Sequence, residues 1–291
     1  MTRWKWSRPS TSICRTSTIT SFVPSVGSRC ALGRRREPPG AGWSYSRPGV
    51  DTPTRTSSEP GWLPVIVVVA VLAVSNVMTN EVLPWGAYLP WNLVMTAVLL
   101  WIALRVDTTT PDQLGLERSG VRRGALVGGI VLLVISVVLL VGALLPATRA
   151  LFEDERVAGT SVWAMLYQVL VRIPLGTVVL EEVAFRGVLL GMLLRRTSRA
   201  GAVMVSSVLF GLWHVLPAIG VEGTNPVLAD LFGGTGGAVA AVVLAVVGTA
   251  IAGVALCIIR FVGHSLLAPM LTHVATNSVG FVVAWFVIRA G

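Results

Sequence analysis

Long apolar segments dominate the chain from Trp62 onward, and they constrain the fold more than any other feature of the sequence. A membrane-spanning helix needs about 20 mostly apolar residues. Because the bilayer interior offers the backbone no hydrogen-bond partners, such segments are expected to be α-helical. Candidate spans lie near residues 62–80, 87–105, 124–147, 174–195, 200–217, 237–259 and 262–289. We therefore predict an all-α fold, a polytopic transmembrane bundle of seven to eight spans.

Two of these segments allow more than one interpretation. Residues 160–172 form a further apolar stretch just before Pro174. They are either a separate interfacial helix or the start of one long helix that is kinked at the proline. The last segment, 262–289, is either one tilted helix or two short helices, because Gly280 lies within it.

The first 60 residues differ sharply from the rest in composition. They hold ten Lys and Arg residues against three acidic ones and are rich in Ser, Thr, Arg and Pro. This composition predicts a disordered basic tail over residues 1–60 and a membrane domain over 61–291. The tail is either a genuine cytoplasmic segment or the product of a start codon placed too early. Its charge suits anionic lipid, and no motif in it indicates nucleic-acid binding.

Basic residues are distributed unevenly between the short loops of the membrane domain. Arg105–Arg123, Arg195–Arg199 and Arg260 fall on one side of the predicted bundle. The opposing loops, 81–86, 148–159 and 218–236, contain only two arginines and are rich in acidic residues. Because cytoplasmic loops carry the excess of Lys and Arg, we predict a cytoplasmic N-terminus. The protein is expected in a bacterial plasma membrane.

Away from the ends of the apolar segments lie five ionisable residues: Glu181, Glu182, Arg186, His214 and His273. A charge at the centre of a transmembrane helix costs from about 2.5 to beyond 10 kcal/mol, so such residues are functional candidates by default. Glu181 and the two histidines each lie 13 to 15 residues from an arginine at the predicted cytoplasmic end of their segment. This distance is about 20 Å along a helix. Three segments thus carry polar groups to one depth.

Helical spacing indicates which of these side chains share a face. Residues four positions apart are neighbours on a helix. Three pairs have this spacing: Glu182 and Arg186, Phe210 and His214, and His273 and Asn277. Glu182 and Arg186 can therefore form an ion pair with a purely structural role. An unpaired Glu181 near two histidines is better suited to proton transfer.

The polar residues are sufficient for amide hydrolysis. A carboxylate and a neutral histidine can activate a water molecule, and a second histidine with an amide can stabilise an oxyanion. Two histidines and a carboxylate, here Glu181, His214 and His273, can equally hold Zn²⁺. The residues alone leave both mechanisms open, although no His-Glu-x-x-His motif is present.

The three motifs Glu181-Glu182-x-x-x-Arg186, Phe210-x-x-x-His214 and His273-x-x-x-Asn277 occur in this order on successive apolar segments. In this they resemble the CPBP family (CAAX proteases and bacteriocin-processing enzymes, also called Abi), which includes the type II CAAX prenyl endopeptidases. The similarity covers roughly residues 110–285, with the motifs inside 174–280, and it excludes the tail. It implies that residues 61–291 form an intramembrane endopeptidase domain.

The resemblance also implies a role for each matching residue. Glu181 would be the general base, with His214 helping to hold the water. His273 and Asn277 would stabilise the oxyanion, while Glu182 and Arg186 orient the site and Phe210 lines it. The family favours a glutamate-dependent mechanism without a cofactor, although zinc has also been assigned to it.

The expected partners are the lipid bilayer and a peptide or protein substrate of CAAX type, which is lipidated, or of bacteriocin type. Two alternatives stay open. In a proton-coupled transporter the same acidic and histidine residues would relay protons. In a non-catalytic scaffold or immunity protein they would only bind a partner.

Overall fold

The computed structural model describes residues 61–290, in which helices are the only regular elements. Seven long helices account for most of this part of the chain: α1 (Leu63–Val82), α2 (Trp85–Val106), α3 (Arg118–Leu144), α4 (162–194), α5 (Arg199–Trp213), α6 (Thr235–Gly263) and α7 (Leu267–Ala290). Short helices occupy the connections, at Pro146–Arg149, Val215–Ala218 and Pro226–Phe232. The all-α prediction is confirmed for these residues. The predicted tail, 1–60, lies outside them.

Five of the seven helices, α1, α2, α3, α6 and α7, are long and apolar enough to cross a membrane. Helix α4 carries Arg172, Glu181, Glu182 and Arg186, so its composition is more polar. Helix α5 has only 15 residues and is about 22 Å long, less than the roughly 30 Å of a hydrocarbon core. The chain is an integral membrane protein, and the count of seven to eight spans stays a prediction.

Helix α4 runs without a break from residue 162 to residue 194, with Pro174 inside it. Residues 160–172 are therefore mostly the first part of one long helix. Proline has no N–H to donate to the preceding turn, which usually kinks a helix. Here the turns around it are wide π turns, over Gln168–Val178 and again over Glu182–Leu189. Such turns are rare and occur frequently at functional sites.

Helix α5 ends at Trp213, four residues before the end of the predicted span at 200–217. The reason is local. Pro217 lacks the N–H that would bond to the Trp213 carbonyl, and its ring would clash with that carbonyl in a continued helix. The carbonyl instead accepts a hydrogen bond of 2.8 Å from the Asn76 amide of α1. His214 consequently lies at a turn just beyond the helix.

Helix α4 is the central helix of the bundle. Residues 180–193 are all buried, and this stretch packs against α2, α5 and α7. Helices α3 and α6 lie outside and expose most of their large apolar side chains, as lipid-facing helices do. The residues just before α7 approach α3 closely. A Cβ added at Gly124 would lie 2.7 Å from the Ser265 Cβ, so only glycine fits that contact.

Side chains tie the loops together at each end of the bundle. At one end Arg195 and Arg196 pair with the buried Asp107, and Arg260 donates to the Gln113 carbonyl. At the other end the Trp285 indole donates to the Thr160 carbonyl. The predicted grouping of the basic segments at one end is confirmed. Which end faces the cytoplasm stays a prediction.

Candidate active site

Polar side chains from α4, α5 and α7 meet in the middle of the bundle. Helix α4 contributes Glu181 and Glu182, the end of α5 contributes Trp213, and α7 contributes His273. All four are buried, with Glu182 fully inaccessible to solvent. The contacts join residues up to 91 positions apart in sequence. Glu181 and His273, two of the three residues expected at one depth, therefore lie in one cluster.

Glu182 anchors this cluster. Its Oε1 accepts a hydrogen bond of 2.9 Å from an Arg186 nitrogen and one of 2.8 Å from His273 Nδ1. The Arg186 guanidinium also lies 3.8 Å from the centre of the Phe210 ring. The predicted Glu182–Arg186 pair is confirmed. Because both partners are buried, breaking the pair would leave an uncompensated charge in a low-dielectric interior.

Glu181 has a different environment. Its Oε1 accepts a hydrogen bond of 3.1 Å from the Trp213 indole. Its Oε2 is buried and has no hydrogen-bond partner among residues 61–290. His273 Nε2 lies 3.7 Å from Oε2, which is beyond normal hydrogen-bond range. One carboxylate oxygen is therefore held, and the other is left without a hydrogen-bond partner in the described residues.

His273 connects the two glutamates. Its Nδ1–H donates to Glu182, while Nε2 lies 3.2 Å from the Asn277 amide nitrogen and faces Glu181. Two carboxylates and Arg186 sum to one negative charge, so a protonated His273 would make the cluster neutral. A neutral cluster is the least costly in a membrane interior.

His214 lies apart from the hydrogen-bonded cluster. Its Nδ1–H donates to the Phe210 carbonyl at 2.8 Å, so that Nε2 is the acceptor in the neutral ring. Its ring packs edge to face on Phe210 at 4.7 Å, and Phe210 in turn packs against His273 at 6.1 Å. Within residues 61–290 no hydrogen bond joins His214 to Glu181. The structure thus brings together six of the predicted residues and places His214 beside them.

Two residues of the site were absent from the sequence-based prediction. Trp213 directly precedes His214 in the second motif, and its indole contacts Glu181. Asn76 is a buried amide in the apolar run of α1, and it binds the Trp213 carbonyl. A single amide inside a predicted span is a sequence signal that could have identified Asn76. Its contact with Trp213 could not have been predicted, because no spacing rule connects α1 to α5.

The side chains do not form a zinc site as they stand. Within the described part of the chain no group of three or more His, Cys, Asp or Glu residues is arranged to hold a metal ion. Both nitrogens of His273 have partners, Nδ1 in Glu182 and Nε2 in Asn277. The set Glu181, His214 and His273 therefore does not converge on one point.

Two cavities flank the cluster. A polar cavity of about 560 Å³ lies between α4 and α7 and is lined in part by Asn277 and Arg172. An apolar cavity of about 290 Å³ lies between α1, α4 and α5, on the side of Trp213 and Asn76. The cluster thus has a polar approach on one side and an apolar one on the other.

Comparison with known proteins identifies the part of the chain that carries this site. The family model Rce1-like, described as type II CAAX prenyl endopeptidase Rce1-like, matches residues 158–279. All three motifs, from Glu181 to Asn277, fall within the match. The family resemblance predicted from those motifs is confirmed. No curated protein and no solved structure matches the chain.

Proposed function

We propose that this chain, whose residues 158–279 match the Rce1-like family of type II CAAX prenyl endopeptidases, hydrolyses a peptide bond inside the membrane with Glu181 as general base. The family itself implies a membrane protease that acts on a peptide or protein. The observation that carries the mechanism is the buried Oε2 of Glu181, which has no hydrogen-bond partner in residues 61–290 and lies 3.7 Å from His273 Nε2.

The proposed reaction begins at Glu181. A water molecule bound at Glu181 Oε2 gives a proton to the carboxylate as its oxygen bonds to the carbonyl carbon. Negative charge then develops on the carbonyl oxygen. When His273 is protonated, its Nε2 no longer accepts from the Asn277 amide, so Nε2–H and the amide both donate hydrogen bonds to this oxyanion. When the carbon–nitrogen bond breaks, Glu181 returns the proton to the leaving amine.

The remaining residues hold these groups in place. Glu182 fixes the His273 ring through Nδ1, and Arg186 balances the charge of Glu182. Trp213 orients the Glu181 carboxylate. His214 has its Nδ1–H on the Phe210 carbonyl, which leaves Nε2 as an acceptor for the attacking water or for the substrate.

The apolar cavity beside Trp213 supports a substrate with an apolar group near the cleaved bond. Its lining is almost entirely aliphatic and aromatic, with Asn76 as the polar exception. A cavity of about 290 Å³ accommodates a large side chain or part of a lipid chain. A substrate of CAAX type or bacteriocin type is compatible with this shape.

The proposal is tested by cleavage of membrane peptides by the purified full-length protein, followed by mass spectrometry of the products. We expect Glu181→Gln to reduce kcat/KM by about 10²- to 10⁴-fold, the range for loss of a general base. Glu155→Gln, at an exposed acid near the end of the bundle, is the matched control and should retain activity. Full activity of the Glu181→Gln enzyme would overturn the mechanism.

Two further measurements separate the alternatives. Metal content determined alongside activity after chelation distinguishes glutamate chemistry from zinc chemistry, and we expect full activity in a metal-free sample. Reconstitution into vesicles tests the transporter alternative. Cargo flux without any peptide hydrolysis would replace the peptidase assignment.

A further inference from the structure

The polar cavity reaches from Asn277 of the site to the end of the bundle that carries loop 146–161. Helices α4 and α7 form its walls, and the loop forms its rim. It is lined in part by Asp154, Arg156, Gln168, Arg172, Thr276 and Asn277. Polar surface inside a membrane bundle is costly. A polar cavity of this size is therefore a candidate for function.

The charges in this cavity do not cancel. At the rim, Asp154 and Arg156 are paired at 2.7 Å and neutralise each other. Deeper in the cavity, Arg172 has no carboxylate within salt-bridge distance among residues 61–290. Its Nε is buried without a hydrogen-bond partner in that range, and one terminal nitrogen donates weakly to Gln168 at 3.3 Å. The cavity therefore holds one uncompensated guanidinium.

Aromatic rings fix the position of this guanidinium. Arg172 Cζ lies 4.0 Å from the centre of the Tyr88 ring and 5.8 Å from that of Trp85. The Tyr88 hydroxyl is itself held by Thr177 at 2.9 Å. A stacked guanidinium loses little further side-chain freedom when its planar fork binds an anion, and the fork matches a carboxylate.

We propose that Arg172 binds a carboxylate of the peptide substrate, a proposal that rests on the peptidase function. The carboxylate is either the C-terminal group or an acidic side chain. Arg172 precedes Glu181 by nine residues, at most about 14 Å along the helix. An extended chain covers about 3.3 Å per residue. The bound carboxylate therefore lies within about four residues of the cleaved bond.

The test compares peptides that differ only in this charge. One set carries a terminal carboxylate or a terminal amide, and a second set carries Asp or Asn within four residues of the cleaved bond. We expect Arg172→Gln to raise KM for the carboxylate peptide by about tenfold or more, with kcat unchanged, because a charge-assisted hydrogen bond is lost. KM for the amide peptide should stay constant. The Asp and Asn pair shows which carboxylate is bound.

Arg289→Gln is the matched control. Arg289 lies at the same end of the bundle and stacks on Trp285 at 4.1 Å, but it is outside the cavity lining. Its loss should leave the preference for carboxylate peptides intact. Arg172→Lys keeps the charge and should restore part of the preference, which a purely structural role of the stacked arginine would not predict.

Peptide binding to the Glu181→Gln protein separates this proposal from the peptidase function. If this protein binds the carboxylate peptide more tightly than the amide peptide, and the difference disappears when Arg172→Gln is added, the subsite is supported even if no peptide is ever cleaved. Equal affinity for carboxylate and amide peptides overturns the subsite even if the enzyme is active. An equal loss of affinity for both peptides in Arg172→Gln, with no recovery in Arg172→Lys, also overturns the subsite.

Discussion

The Trp213 indole donates a hydrogen bond of 3.1 Å to Glu181 Oε1, and this contact positions the proposed base. The Trp213 backbone is held in turn by Asn76, whose amide binds the carbonyl that Pro217 leaves unpaired. Helix α1 therefore contributes to the site although it contains none of the three motifs. The carboxylate has one fixed oxygen, and the other faces His273.

Replacement of Trp213 by phenylalanine removes the donor and keeps an aromatic ring. We expect kcat to fall by about tenfold or more with little change in KM, because the hydrogen bond to a charged group is worth roughly 1.5–3 kcal/mol. The measurement is a steady-state comparison with Trp163→Phe, at a tryptophan that is 81% exposed. An unchanged kcat in the Trp213 variant would contradict the positioning role.

Replacement of Arg186 by leucine leaves Glu182 buried without its cation. We expect a loss of about 3–5 kcal/mol in stability, the usual cost of breaking a buried ion pair. Thermal unfolding in detergent would show this as a lower Tm.

The double variant Glu182→Gln with Arg186→Leu is the control. It should recover part of the loss in Tm, since no uncompensated charge remains. A double variant less stable than the single one would show that the pair contributes through its shape and not its charge.

Much of this site could be predicted from sequence because its spacing is helical. The pairs at four-residue intervals, such as Glu182 with Arg186, need only one helix to be correct. Contacts between helices could not be predicted from spacing, since residues such as His273 and Glu182 are 91 positions apart in the sequence. The position of His214 also depended on a local event, the end of α5 before Pro217, that apolarity alone did not reveal.

The wide turns of α4 could not be predicted either. Apolar periodicity locates a helix but does not report whether its turns close after four or five residues. Apolarity also did not show whether the final segment is one helix or two. The sequence allowed two short helices around Gly280, and the structure has one continuous helix from Leu267 to Ala290.

The Asp154–Arg156 pair at the cavity rim makes stability depend on pH. Burial raises the pKa of Asp154, but the hydrogen bonds and charge of Arg156 outweigh it and hold the pKa below its usual range. The pair therefore stabilises the fold fully above about pH 4, the ordinary aspartate value. This contribution is lost as pH falls through the depressed pKa of the folded state.

The measurement is the difference in Tm between the natural protein and Asp154→Asn from pH 3 to pH 7. We expect a constant difference above pH 5 that shrinks toward zero at the acid end. Glu155→Gln, at the neighbouring exposed acid, should show no such difference. A gap in Tm that widens as the pH falls would reverse the sign and contradict the assignment.

The orientation of the bundle can be measured with single cysteines in a background that lacks Cys14, Cys30 and Cys257. Ser119 and Glu155 are exposed at opposite ends. From the excess of arginine near Ser119 we expect Ser119→Cys to react with an impermeant maleimide only after the membrane is opened. Glu155→Cys should react in intact cells. The reverse pattern would place the polar cavity on the cytoplasmic face.

The wide turn over Glu182–Leu189 begins at the second of the two acids and runs toward the end of α4. Each residue of a helix turns the chain by about 100°. Deleting a single residue between Glu182 and Arg186 would rotate every later side chain of α4 by about that angle relative to the two acids, while leaving every side chain of the motif in the protein. Variants of this chain should therefore tolerate many substitutions on the lipid-facing helices, but almost no insertion or deletion within this one turn.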